Sequence, residues 1–262
     1  MMNWGRGNGS ILNSLPSLSP LVNPNDTHSE KLFELKDEVP LVVPLLSEHL
    51  DNAYVTFAEA FENDPLVVYL TDGRGPFPPL NKPLFKRLWK AKFSLFLKHN
   101  IGLTINAGES NILVTPAASD RAPTPPSDKL KESFFNFLSN TYFLFNYKHL
   151  RRRYHELELK VKAAIKDNLG DSVEETVYID GLATKPAAQG QGYASALMRA
   201  VLFTADIRNR SVYLFTGNSN NIAFYETFGY KAVTQFELGK DDPSWEETPV
   251  IVTMMIRSPL AV

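Results

Sequence analysis

Apolar residues follow a helical period over the first two thirds of the chain and a strand-like one over the last third. Tyr54, Phe57, Ala58 and Phe61 are spaced as one face of a helix. They predict a helix over 51–63, with Asp51 as its N-cap and Asp64-Pro65 as its end. Pro83 opens a second helix, with Leu84, Leu88, Ala91 and Leu95 on one face. Residues 102–106 and 111–115, separated by Ala-Gly-Glu-Ser, read as a β-hairpin. A phenylalanine-rich helix follows over 128–147, and its Phe134, Phe135, Phe137, Phe143 and Phe145 are expected to fill a core. The next helix runs over about 149–168. Its stripe is Leu150, Tyr154, Leu157, Val161, Ala164 and Ile165, and Gly170 stands just beyond its end.

The last third alternates: strand 175–184, helix 193–207, strand 211–216, helix 220–228, strand 230–238, strand 249–257. That order predicts an α+β (α/β) sheet flanked by helices. Residues 1–30, with Pro16, Pro20 and Pro24 among Ser, Asn and Gly, read as a flexible tail. Residues 72–79 and 116–127 are rich in proline or glycine and read as loops. Residues 31–262 are expected to form one domain with a helical insertion at about 116–170.

Composition narrows the function classes. The net charge is −2, and no dense basic stretch offers a nucleic-acid-binding face. Arg151-Arg152-Arg153 reads as a solvated helix face. There are no cysteines, which removes disulfides, thiolate metal sites and a cysteine nucleophile. His155-Glu156 starts a zinc-binding helix pattern, but Leu159 stands where its second histidine belongs, so no metal is expected. No signal peptide and no run of about 20 apolar residues is seen. The expectation is a soluble cytoplasmic protein with no nucleic-acid or membrane partner, the nucleus left open.

The chemistry gathers at Gln189-Gly190-Gln191-Gly192-Tyr193-Ala194, between a strand and a helix. Such a turn presents free backbone N–H groups to an anion at the positive end of the helix dipole. A nucleotide-triphosphate loop would need Lys and then Ser or Thr after its glycines, and Tyr193-Ala194 stand there. A dinucleotide turn needs a third small residue and a carboxylate about 20 positions on. Ser195 takes that third place, and the next strand ends in Thr216-Gly217-Asn218 without an acid.

Gln189-x-x-Gly192-x-Ala194 resembles the signature of the GNAT N-acetyltransferases. The residues before it, Gly181-Leu182-Ala183-Thr184-Lys185-Pro186, resemble that family's fourth strand. Those after it resemble a second signature, from Asn218 and Asn221 through Tyr225 to Gly229-Tyr230. The stretch from Ala60 to Pro65 and the form of the glycine turn resemble the family's fungal branch.

The resemblance implies a mixed central sheet splayed between strands four and five, with acetyl-CoA as cosubstrate and a primary amine as acceptor. Backbone amides of 189–194 would hold the pyrophosphate, and Leu182, Ala183 and Thr184 would pair with the pantetheine arm. Asn218 and Asn221 would either bond that arm or cap a helix. Tyr225 falls where many members carry the acid that protonates the thiolate. The family's glutamate base would fall at Tyr178. Asp180, placed by strand alternation on one face with Tyr178 and Leu182, is the candidate base, or else a strand-end residue bonded to a loop. The implied protein is a monomeric or homodimeric N-acyltransferase; the alternative is a catalytically inactive CoA-binding regulatory protein of the same fold.

Overall fold

Every strand expected in the last third forms, and together with the hairpin and a short leading strand they build one seven-stranded sheet. The computed structural model describes residues 40–73, 79–121, 123–146 and 148–260. The expected tail at 1–30 and most of the loop at 72–79 lie outside them. The strands are β1 (Val43–Pro44), β2 (Ile101–Ile105), β3 (Ser110–Thr115), β4 (Val177–Thr184), β5 (Val212–Thr216), β6 (Lys231–Leu238) and β7 (Val250–Arg257). Their order across the sheet is β1-β2-β3-β4-β5-β7-β6. Each neighbouring pair is antiparallel except the central one, β4 with β5, which is parallel.

Helices cover both faces. On one lie α1 (Leu50–Ala60), α2 (Pro65–Thr71), α3 (Pro83–His99) and α5 (Lys148–Asn168), whose Tyr54, Phe57, Tyr69, Trp89, Leu157 and Val161 share a core with Leu113 and Ala183 of the sheet. On the other lie α6 (Tyr193–Ile207) and α7 (Asn220–Glu226), packed on Ile112, Val114, Val177, Ile179 and Leu214. The remaining helix, α4 (Pro126–Asn146), joins α3 to α5.

Four expectations change. Asp51 lies inside the first turn of α1, after the N-cap His49, and binds Lys86 at 2.8 Å. Asp64-Pro65 ends one helix and starts another: the Asp64 carboxylate accepts from the amides of Leu66 and Val67 at 3.0 and 3.2 Å, and Pro65 opens α2. Both roles suit the same dipeptide, because proline is disfavoured inside a helix and favoured at its first position. The buried stripe of α3 is Phe85, Trp89, Leu95 and His99, while Leu84 is exposed. On α4, Phe134 and Phe137 are exposed instead of buried, and the side chains of Phe143 and Phe145 lie outside the described residues.

Arg153 departs furthest from its expected solvated place. It is among the largest fully buried side chains. Its Nε donates to Asp242 at 2.8 Å, one terminal nitrogen donates to the Tyr69 carbonyl and to Asp72, and its plane lies over the rings of Tyr69 and Trp245. The Tyr69 hydroxyl donates to Glu156 at 2.6 Å. Burial works to raise the Asp242 carboxyl, but the hydrogen bonds from Arg153 and Ser244 outweigh it and hold the group at about 2. Losing one partner of such a pair strands the other charge in a dry site. Arg153→Met is therefore expected to lower unfolding free energy by about 3–5 kcal/mol in urea titrations. Arg152→Met, at the largely exposed neighbour, should change it by less than about 1 kcal/mol.

Candidate active site

The parallel pair at the centre of the sheet is short. β4 and β5 are matched only at Val177 with Val212 and Tyr178 with Tyr213. Beyond those residues each strand keeps its outer partner: β4 stays with β3 as far as Thr184, and β5 stays with β7 as far as Thr216. The inner edges of Leu182, Ala183 and Thr184 therefore face a gap instead of a strand.

A bulge sits at the point of parting. Val114 pairs with Ile179, but Leu113 pairs with Gly181, so Asp180 is the extra residue. One extra residue reverses the alternation beyond it. Val177 and Ile179 face the α6 layer, and so does Leu182, while Ala183 faces α1. The expected common face of Tyr178, Asp180 and Leu182 is thus broken: Leu182 points to the opposite side from Tyr178. Asp180 accepts a hydrogen bond from the Thr115 hydroxyl at 2.8 Å. Burial pushes its carboxyl up to about 8, against the opposing pull of the Thr115 hydrogen bonds and the Arg121 charge.

At the end of β4 the chain turns through residues 186–188 into the glycine segment. Gln189 folds back, its side-chain amide donating to the Thr184 carbonyl at 3.2 Å. Gly190 and Gly192 have φ of 78° and 76°, the left-handed region that favours glycine. A β-carbon built on either meets nothing within 4 Å, so the surface above both is open. No side chain caps α6, which begins at Tyr193 directly after Gly192. Gln191 is exposed, and Tyr193 and Ala194 are half-buried. An open, uncapped helix start with nothing above its glycines suits a phosphate group.

Across the gap, Thr216-Gly217-Asn218 leads into α7. The Asn218 side chain accepts from the Asn220 amide at 3.1 Å, just ahead of α7, whose N-cap is Ser219. Asn221 is half-buried in the first turn of α7. Tyr225 is buried, edge-on to Phe224 and Tyr230 with centroids 5.3 and 5.9 Å away. Burial, and after it the charge of Asp64, pushes its phenol up to about 12. Asp180 is thus carried by β4 and Tyr225 by α7.

Asp64 was not singled out from the sequence. Its helix packs against the exit of β5, where a β-carbon on Gly217 would come within 2.5 Å of Leu66. Burial raises the Asp64 carboxyl in spite of its two amide hydrogen bonds. The available signal was Asp-Pro as a helix start, which competes with the same pair as a helix end.

Residues 153–230 match the model of the acetyltransferase (GNAT) family. Among solved structures, arylalkylamine N-acetyltransferase 2 from Aedes aegypti superposes with a TM-score of 0.55 at 14% identity, over 83% of this chain and 98% of that one. A polyamine N-acetyltransferase from Drosophila melanogaster gives 0.51 at 12% identity, over 83% and 99%. At such identities the likeness speaks for the fold. No curated protein matches the chain.

The raised Asp180 carboxyl has a consequence for stability. Its folded pKa of about 8 lies above the ordinary 3.8, so the folded chain holds a proton that the unfolded chain releases between those values. The stability this contributes is complete at low pH and is lost as pH rises through about 8. Asp180→Asn keeps the shape and removes the titration. Its urea midpoint is expected to fall less than that of the unsubstituted protein between about pH 5 and about pH 9.

Proposed function

We propose that the chain, whose residues 153–230 match the model of the acetyltransferase (GNAT) family, binds acetyl-CoA along the β4–β5 gap and moves the acetyl group directly to a primary amine. The observation that carries this reading is the coincidence of two features at the end of β4: strands that part after Tyr178, and an open glycine cradle that starts α6. One feature suits an extended arm with hydrogen-bonding groups, the other a pyrophosphate.

In this reading the amides of 189–194 hold the phosphates, with Gly190 and Gly192 allowing close approach. Leu182, Ala183 and Thr184 offer their inner backbone edge to the pantetheine amides. Bound acetyl-CoA supplies an activated acyl group, so no covalent bond to the protein is needed. Asp180 takes the proton that the amine must lose as its nitrogen attacks. Tyr225, on the far side of the gap, donates its hydroxyl proton toward the departing sulfur. The proton balance closes: the substrate ammonium loses two protons in all, one to Asp180 and one that restores the Tyr225 phenol, whose own proton leaves with the thiol. Asn221 lies at the start of α7, where its side chain can contact the arm.

Asp180 supports the assignment by its acidity. An ordinary aspartate is a poor base toward an ammonium ion, and a carboxyl near 8 is a much better one. Its work requires the ionised form, so kcat/KM for an amine should rise with pH and level off above about 8. Titration calorimetry with acetyl-CoA, followed by thiol release across an amine panel, tests the reading. Tyr225→Phe is expected to lower turnover by about a hundredfold with acetyl-CoA affinity nearly unchanged. Asp180→Asn should remove the rise with pH. Binding without thiol release on any amine would favour a CoA-binding regulatory protein, and no binding at millimolar acetyl-CoA would overturn both.

A further inference from the structure

The connection between β2 and β3 is more elaborate than a hairpin needs. Asn106, Ala107 and Gly108 follow one another at φ of 50°, 49° and 112°. Two of the three carry a β-carbon in a region that favours glycine, and such outliers persist only where surrounding contacts over-determine them. Those contacts come from α1 and from the hairpin. The Asn52 side chain donates to the Ala107 carbonyl at 3.1 Å, and Thr56 donates to the Gly108 carbonyl at 2.7 Å. Asn111 donates to the same Gly108 carbonyl at 2.7 Å, and the Gly108 amide donates to Thr104 at 2.9 Å. A β-carbon on Gly108 would come within 2.7 Å of Asn52, so the turn is pressed onto α1.

The other side of the turn holds both ends of the cradle segment. At its entrance, the Lys185 amide donates to the Glu109 carbonyl at 2.8 Å. At its exit, the Asn106 side chain donates to the Tyr193 hydroxyl at 3.0 Å and to the Glu109 carboxylate at 3.0 Å. Tyr193 is the first residue of α6. Residues 185–193 are therefore mounted at both ends on one strained turn that α1 keeps in place.

We propose that Asn106 is a positioning residue for the phosphate cradle: through Tyr193 it fixes the start of α6 so that the amides after Gly190 converge before a ligand arrives. The inference rests on the CoA-binding reading of the site. Preorganisation of this kind improves affinity by lowering the ordering cost of binding.

Asn106→Gly removes the side chain, and with it the exposed bonds to Tyr193 and Glu109, while glycine fits φ of 50° without strain, so the backbone of the turn keeps its conformation. Tyr193→Phe removes the other partner. Calorimetry with CoA is expected to show each variant binding roughly three- to tenfold more weakly, with melting temperature nearly unchanged for Asn106→Gly. The double variant should bind no more weakly than the poorer single one. Unchanged affinity in Asn106→Gly, or losses that multiply in the double variant, would overturn the proposal. Hydrogen exchange of amides 189–195 in the unliganded protein supplies the readout independent of CoA. Faster exchange in Asn106→Gly is the expected result, and unchanged rates would sink the proposal. If the unsubstituted protein binds no CoA while that exchange still quickens, the ligand reading fails and the strut stands.

Discussion

The arrangement depends on the early end of the β4–β5 pairing. Both strands stay paired on their outer sides, so neither is free to bend into the other once Tyr178 and Tyr213 have been passed. The extra residue at Asp180 sharpens the parting, because a bulge bends its own strand and increases its twist. The same residue carries the carboxyl. The device that opens the gap and the group that titrates beside it are therefore one position in the chain. Backbone polar groups left unpaired along the gap need a partner, from water or from a ligand that presents donors and acceptors of its own.

On the side away from α6, α2 is held in place by pieces distant in sequence. The Arg153 guanidinium gathers the end of α2, the first turns of α5 and the segment after β6 around one buried charge. The other end of α2 carries Asp64 and packs beside Gly217, within electrostatic reach of Tyr225. A seven-residue helix is too short to hold its own direction in water. Its place comes from the clamp at one end and the packing at the other.

What the sequence made legible was local. The cradle was readable because glycine at positive φ, an uncapped helix start and a preceding strand are all properties of neighbouring residues. The boundaries of α6 were readable for the same reason, and the order of strands and helices followed from period. The bulge at Asp180 was not, since a register shift exists only relative to a partner strand, here β3. Arg153 was hidden inside a basic triplet whose commonest surroundings are solvent, and its partners Asp72 and Asp242 lie far away in the chain. Asp64-Pro65 carried two valid readings, and only the helix after it decides that both are used.

On the proposed reading, the two titrating groups are tuned to unequal tasks by the same cause. Burial lifts Asp180 to about 8, which narrows its distance from a primary amine of about 10.4 and makes proton removal far less uphill. Burial lifts Tyr225 to about 12, which by itself makes it a weaker acid toward a thiolate of about 8.5. A thiolate forming in the same dry gap is destabilised as well, so its own affinity for a proton rises and part of the mismatch closes. The phenol then does its best work late, as charge builds on sulfur, whereas the carboxylate acts early, as the amine commits. The two are carried by separate elements, the base by β4 and the acid by α7, so each is positioned independently of the other.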